Sequence, residues 1–275
     1  GAHGQTVRHR PREFDGNGYS LQIHNPALLA ELTGIAVVTD FRSRDIAAGG
    51  QGAPLLPLFH QAVFARPGQT VAVLNIGGIA NLSALQAQSV RGWDCGPGNV
   101  LIDAWCAQNT AQAFDRGGAW AATGQVHAPL VAQLMQEAYL QRPAPKSTGR
   151  DLFNPAWLAQ KLEPFAALSP ADVQSSLTEF TAKVCANDVL AHAAQSATLI
   201  VCGGGALNTE LMRRLQALLP AVKVVSSQAL GLPPQQVEAA AFAWLARKAL
   251  KRRPLDFQSI TGARGARIAG CVYPA

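Results

Sequence analysis

An α/β fold is predicted by three observations: strand-like and helix-like segments alternate along the chain, Gly-rich turns fall where a strand gives way to a helix, and 48% of the 275 residues are hydrophobic against 15% charged. That balance is enough to bury a substantial core, and the length suits one large domain or two smaller ones. The first strand-like run is 35–40. Segments 71–76 and 80–85 flank Gly77-Gly78 and read as a β-hairpin. A further strand ends near Asp94, and Gly96-Pro97-Gly98 supplies a tight turn. Asn99 then stands as N-cap of a helix whose apolar residues recur at helical spacing (Leu101 and Trp105, Ile102 and Cys106). The stretch 130–193 reads as mainly helical, broken by a loop at 146–154. Segment 198–202 is a buried-looking strand, Gly203-Gly204-Gly205 turns the chain, and Leu211, Leu215 and Leu218 give the next helix its apolar face. A short strand at 222–226 and an Ala-rich helix at 237–250 complete the pass. Pro67-Gly68 punctuates the chain and marks a domain boundary, dividing it into 1–66 and 67–275.

Composition excludes several classes. No apolar stretch approaches the ~18 residues that span a bilayer, and the N-terminus lacks a basic-then-apolar signal pattern. Five scattered cysteines (Cys95, Cys106, Cys185, Cys202, Cys271) without CxxC spacing speak against a disulfide framework and a zinc site. A soluble protein of the reducing cytoplasm is the expectation. The net charge of +6 raises a nucleic-acid reading, but the basic residues form no single stripe. Lys248, Lys251, Arg252 and Arg253 close a helix, where cations complement its dipole, and no recognised nucleic-acid module accompanies them. Scattered Arg fits an anionic small substrate equally well.

Asp94 is the leading candidate for chemistry. At a sheet-to-helix junction, backbone N–H groups and a positive helix end are expected to keep its carboxylate ionised and able to accept a proton. By local spacing alone it could equally cap the turn. Gly77-Gly78 and Gly203-Gly204-Gly205 are turns where backbone can approach phosphate, although the first also reads as a plain hairpin turn. Neither is a Walker A loop or a GxGxxG fingerprint. Asp40, Arg42, Arg44 and Asp45 cluster after a strand and read either as a grip on a sugar and its carboxylate or as a solvated salt-bridge group. Glu238, near the start of the Ala-rich helix, is ordinarily a dipole-compensating residue. The histidines show no metal-ligand spacing, and all but His3 read as surface or hydrogen-bonded residues.

Seven blocks, in order, give this pattern a source: AHGQTVRHRP (2–11), DFRSRDIAAGGQGAPL (40–55), NIGGIANLS (75–83), WDCGPGNVLIDAW (93–105), KSTGRDLFN (146–154), VCGGGALN (201–208) and TGARGAR (261–267). Together they resemble the anhydro-N-acetylmuramic acid kinases over nearly the whole chain. The resemblance implies an actin-like (ribonuclease H-like) two-domain sugar-kinase fold, with the first domain incomplete and the C-terminal tail packing back on it. It implies ATP-dependent hydrolytic phosphorylation of 1,6-anhydro-N-acetylmuramic acid to N-acetylmuramic acid 6-phosphate, in peptidoglycan recycling. In that reading Asp94 is the general base. His3, Gln5, Asp40, Arg42 and Glu238 bind the sugar, while Asn75, Gly77, Gly78, Gly96, Gly98, Gly203, Gly204, Gly205 and Asn208 meet the nucleotide. ATP and Mg²⁺ are the implied cofactors, no residue is assigned to the metal, no nucleic acid or membrane partner is expected, and a homodimer is one option for the assembly. The chain departs from the family in three places. The family's Gly-Thr-Ser-x-Asp-Gly phosphate loop does not occur, so an N-terminally truncated kinase of little activity is expected. His24 stands where Gly is usual before Asn25-Pro26 and is expected to crowd the backbone, and Ala2 replaces a common Ser. The alternative is a non-catalytic nucleotide-binding remnant of the same fold.

Overall fold

The computed structural model describes residues 1–11, 18–86 and 89–275. The chain opens with an antiparallel pair, β1 (Gln5–Arg10) and β2 (Tyr19–Ile23), then α1 (Pro26–Thr33), β3 (Val37–Thr39), α2 (Ser43–Ala47) and α3 (Pro57–Phe64). An antiparallel meander follows: β4 (Val71–Ile76), β5 (Ile79–Gln86) and β6 (Ser89–Pro97). Helices α4 (Val100–Asn109), α5 (Ala128–Leu134), α6 (Pro155–Leu162) and α7 (Pro170–His192) lead to β7 (Thr198–Cys202), α8 (Thr209–Leu218), β8 (Lys223–Ser226), α9 (Val237–Leu250), α10 (Gln258–Thr261) and β9 (Cys271–Tyr273). The central sheet runs β6-β5-β4-β7-β8, with β7 parallel to both β4 and β8. A meander extended by parallel strands on its first member is the ribonuclease H-like order of actin-like proteins.

Both faces of the sheet are buried, which is why β4 and β7 read as mainly apolar runs rather than as alternation. Leu74, Ile76, Leu82, Trp93 and Val201 pack on one face with Leu101, Leu177, Phe180 and Leu215 of α4, α7 and α8. Val73, Val90, Ile200 and Cys202 face the other way, against Phe59 of α3, Phe242 and Leu245 of α9, and Val38, Phe41 and Leu55. Side chains alternate with period two. Asn75, Asn81 and Asp94 fall on this second face and interrupt its apolar register.

Helix starts follow local chemistry. Asn25, Asn154 and Ser169 each accept a hydrogen bond from a first-turn N–H, and Pro occupies the next position, where no N–H is needed. The 71–76 and 80–85 hairpin and the 237–250 helix lie where the sequence places them.

Three local readings change. Strand β6 continues through Gly96 and Pro97, so the tight turn is confined to Gly98 and Asn99. Asn99 precedes α4 in αR geometry without capping it, and its Nδ2 donates to the Ile76 carbonyl at 3.3 Å instead. The N–H groups of Gly98 and Val100 donate to the Gly78 carbonyl (2.9 and 3.1 Å) and that of Asn99 to Gly77 (2.8 Å), so the first N–H groups at the start of α4 go to the hairpin turn. A 3₁₀ turn over Gly204–Leu207 separates the glycine run from α8, whose start is capped by Asn208. At the chain's end, β9 pairs antiparallel with β3.

Candidate active site

A cleft of about 300 Å³ opens where β4, β5 and β6 meet the 148–151 loop and β1. Asp94 lies in it, 5% exposed. Its Oδ2 accepts the Thr148 N–H at 3.0 Å, its own N–H donates to the Lys146 carbonyl, and the Tyr139 hydroxyl donates to its carbonyl at 2.7 Å. Oδ1 accepts no hydrogen bond among the described residues. Burial pushes the carboxyl pKa up to about 7, against the Thr148 N–H and the positive charges of Arg42 and Lys146. This corrects the expectation of a carboxylate held ionised by the helix end. The donors of that end are spent on Gly77 and Gly78, and desolvation sets the balance.

Arg42 enters the cleft from the start of α2. Its Nε donates to His3 Nε2 at 3.0 Å and its Nη1 to the Gly52 carbonyl at 2.7 Å. Burial lowers its pKa, while Asp94, Glu238 and Asp45 hold it up. Burial and Arg42 bring His3 down to about 3, which makes it a neutral acceptor at working pH. Its ring also packs on Phe242 at 4.6 Å. Gln5, Arg42 and Glu238 line both this cleft and an adjoining opening that reaches His3, so three of the five proposed sugar ligands share the cleft with Asp94 and His3 lies next to it.

Asp40 is the exception. Its backbone is left-handed (φ 54°), and its carboxylate turns back on α2 to accept the Ser43 hydroxyl and N–H. The charged cluster also splits. Arg44 is exposed, and Asp45 is buried, accepting from the Gly52 N–H and the Thr261 hydroxyl, each at 2.7 Å.

The proposed nucleotide residues divide by what their missing Cβ serves. At Gly203 (φ 78°) a Cβ would sit 2.6 Å from the Ile76 carbonyl, at Gly205 2.4 Å from the Ile76 side chain, at Gly98 2.4 Å from the Gly77 carbonyl and at Gly96 2.9 Å from Leu140. Packing accounts for these four. Gly77 and Gly78 have no positive φ, and a Cβ on either would meet nothing closer than 3.7 Å; Gly204 has 3.6 Å clear. Gly77 and Gly78 line the cleft beside Asn75, whose Oδ1 accepts from the Cys202 thiol. Glycine that neither the backbone angle nor the packing demands leaves room for something outside the chain. Asn208 is occupied with the α8 N-terminus.

The family described as anhydro-N-acetylmuramic acid kinase matches residues 1–275. The chain belongs to this family. Three curated proteins named anhydro-N-acetylmuramic acid kinase are similar to the whole chain: one from Variovorax paradoxus (strain S110) at 64% identity, one from Albidiferax ferrireducens (strain ATCC BAA-621 / DSM 15236 / T118) at 59% and one from Cupriavidus pinatubonensis (strain JMP 134 / LMG 1197) at 54%. The chain covers 75%, 76% and 74% of their respective lengths. A kinase family implies ATP use.

Three features of this chain escape a reading residue by residue. Thr148 and Lys146 reach Asp94 from a loop recognised only as a block. Asn81, in the same block as Asn75, is 9% exposed in the cleft, and its Oδ1 has no hydrogen-bond partner among the described residues. His9, expected at the surface or in a simple hydrogen bond, bridges Ser20 and Ser147, each at 3.0 Å, and burial lowers its pKa to about 4. His24 is closely packed, and its Nδ1 is buried without a hydrogen-bond partner among the described residues. Its Nε2 hydrogen-bonds the Thr39 hydroxyl, and Gly4 gives it room, since a Cβ there would lie 2.8 Å from its Nδ1.

Proposed function

We propose that this chain carries the catalytic carboxylate and the sugar-binding side of an ATP-dependent kinase that converts 1,6-anhydro-N-acetylmuramic acid to N-acetylmuramic acid 6-phosphate. The observation that carries the reading is Asp94: a buried carboxyl with one oxygen fixed by Thr148, a pKa near neutrality, and a cleft shared with Arg42, Glu238 and two glycines that leave space. A general base works best when its pKa lies near the operating pH, because it is then ionised in a useful fraction and still basic. Asp94 takes a proton from water attacking C1 of the anhydro sugar, and O6, released from C1, attacks the γ-phosphate. Arg42 balances the charge of Asp94 in a water-poor setting, while His3, Gln5 and Glu238 orient the sugar from the adjoining opening. The Gly77-Gly78 turn, with Gly204 behind it, takes the phosphates and nucleotide.

Phosphoryl transfer draws on Mg²⁺ for charge neutralisation. Among the described residues no group of three His, Cys, Asp or Glu is placed to hold a metal ion, so no step here is routed through one. The reading places the chain in peptidoglycan recycling in the cytoplasm, with 1–66 and 67–275 as its two domain portions. No helix among the described residues is long and apolar enough to cross a membrane. The test is Asp94→Asn in the full-length protein, following ADP release and the sugar phosphate with the anhydro sugar, ATP and Mg²⁺. Turnover should nearly vanish with the fold intact. Near-normal turnover removes Asp94 as the base.

A further inference from the structure

The side-chain oxygen of Asn81 is buried without a hydrogen-bond partner among the described residues. The residue is 9% exposed and lines the cleft. An unpaired buried acceptor costs about 1–3 kcal/mol, so its persistence calls for a ligand that brings a hydrogen.

The register says which ligand. Asn81 on β5 is the Cα partner of Asp94 on β6, at a point where the pairing shifts register, and both side chains reach the same cleft. Side chains directly opposite in an antiparallel pair have Cβ atoms about 4.5–5.5 Å apart. A single water donating two hydrogen bonds of about 2.8 Å holds its acceptors roughly 4.5 Å apart. On two side chains of equal length, Cβ atoms that close let one water reach both oxygens.

Resting on the reading of Asp94 as general base, we infer that Asn81 is a further positioning residue, its Oδ1 taking the second hydrogen of the water whose first hydrogen goes to Asp94. A water that attacks carbon must aim a lone pair at it, so both O–H bonds have to point back into the protein. Asp94 satisfies one and Asn81 the other. As the water oxygen bonds to C1, one proton passes to Asp94, and the C1–O6 electron pair goes to O6. O6 then bonds to the γ-phosphorus while the bond to ADP breaks. The second hydrogen stays on the new anomeric hydroxyl, still held by Asn81.

The test compares Asn81→Ala and Asn81→Asp with the unsubstituted full-length protein, using ATP, Mg²⁺ and 1,6-anhydro-N-acetylmuramic acid. Asn81→Ala should lower kcat about 10- to 100-fold by loosening the water, with both KM values within about twofold. Asn81→Asp keeps the acceptor, so it should retain more kcat than Ala. Its second carboxylate beside Asp94 should move the acidic limb of the rate profile to higher pH. The charged groups already acting on Asp94 are Arg42 and Lys146, and neither is altered. A kcat for Asn81→Ala within twofold of the parent overturns the inference, as does a raised sugar KM with kcat unchanged, which would make Asn81 a ground-state sugar ligand. Should Asn81→Ala not fold, the Asp variant decides, and an unmoved limb overturns the inference. Failure of the underlying reading looks different, because it shows as retained turnover in Asp94→Asn whatever Asn81 does.

Discussion

Replacing Asp94 by Asn should damage the reaction and stabilise the protein, and the two effects have separate origins. The amide cannot take a proton from water, and removal of a general base costs ~10² to 10⁴ in rate. The stability effect comes from burial, which raises the carboxyl pKa from 3.8 to about 7. Between those values the folded state holds a proton that the unfolded chain releases, so the contribution of Asp94 is most favourable below pH 3.8 and is lost as pH rises through about 7. At about 1.4 kcal/mol per pH unit, the upper limit of the loss at pH 8 is about 4 kcal/mol. The substituted amide stays neutral at every pH and can still accept the Thr148 N–H through its oxygen. The variant should therefore melt higher than the parent at pH 8, by up to roughly 10 °C for a protein of this size. The gain should shrink toward pH 4. Calorimetric or dichroic melts at pH 5 and pH 8, run beside turnover assays, measure both effects. Equal melting of parent and variant at both pH values would refute the claim that desolvation controls this carboxyl.

Other outcomes follow from the same geometry. The parent's kcat/KM should fall as pH drops below about 7, because Asp94 takes up a proton and ceases to be a base; a flat profile between pH 5.5 and 8 would show that another group carries the chemistry. Arg42→Met removes a charge that lowers the Asp94 pKa, so the acidic limb should move to higher pH and the sugar KM should rise; a limb that stays or moves down contradicts the assigned contact. Gly204→Val should weaken ATP binding more than sugar binding, since the site has room for a Cβ in the free protein; calorimetry with each ligand reads the difference, and equal losses would point to misfolding. Gly98→Val, by contrast, should lower the melting temperature sharply before any ligand is added, because a Cβ would lie 2.4 Å from the Gly77 carbonyl.

The sequence reveals the parts of the site that depend on short-range pattern. The hairpin around Gly77-Gly78 stands out because two apolar runs flank two glycines, and helix starts stand out where Asn or Ser precedes Pro. The environment of Asp94 is hidden because its partners are remote. Thr148 is 54 residues away, and the α4 donors that should have served the carboxylate are taken by carbonyls from the 77–78 turn. Neighbours in sequence also mislead, since Asp40, with its backbone at φ 54°, turns back on Ser43, while Arg42 and Asp45 both turn the other way and meet at Gly52. Asn81 is the most readable of the missed residues: it is a polar residue among buried strand positions, and where Ser83 two residues on is partnered by His60, the Asn81 oxygen is not.

The contact between the 77–78 turn and the start of α4 also bears on how a peptide turn can tolerate a polyanion. Every peptide unit brings an oxygen as well as an N–H, and bare oxygens facing a phosphate would repel it. Here the carbonyls of Gly77 and Gly78 are directed onto three N–H groups at the head of α4, away from any incoming charge. The positive end of the helix dipole thus sits directly behind the turn and, through these carbonyls, polarises it in the sense that favours an anion in front. Lengthening or reversing the 98–100 connection would leave both glycines in place while exposing their oxygens, turning an attractive surface into a repulsive one without changing a single cleft side chain.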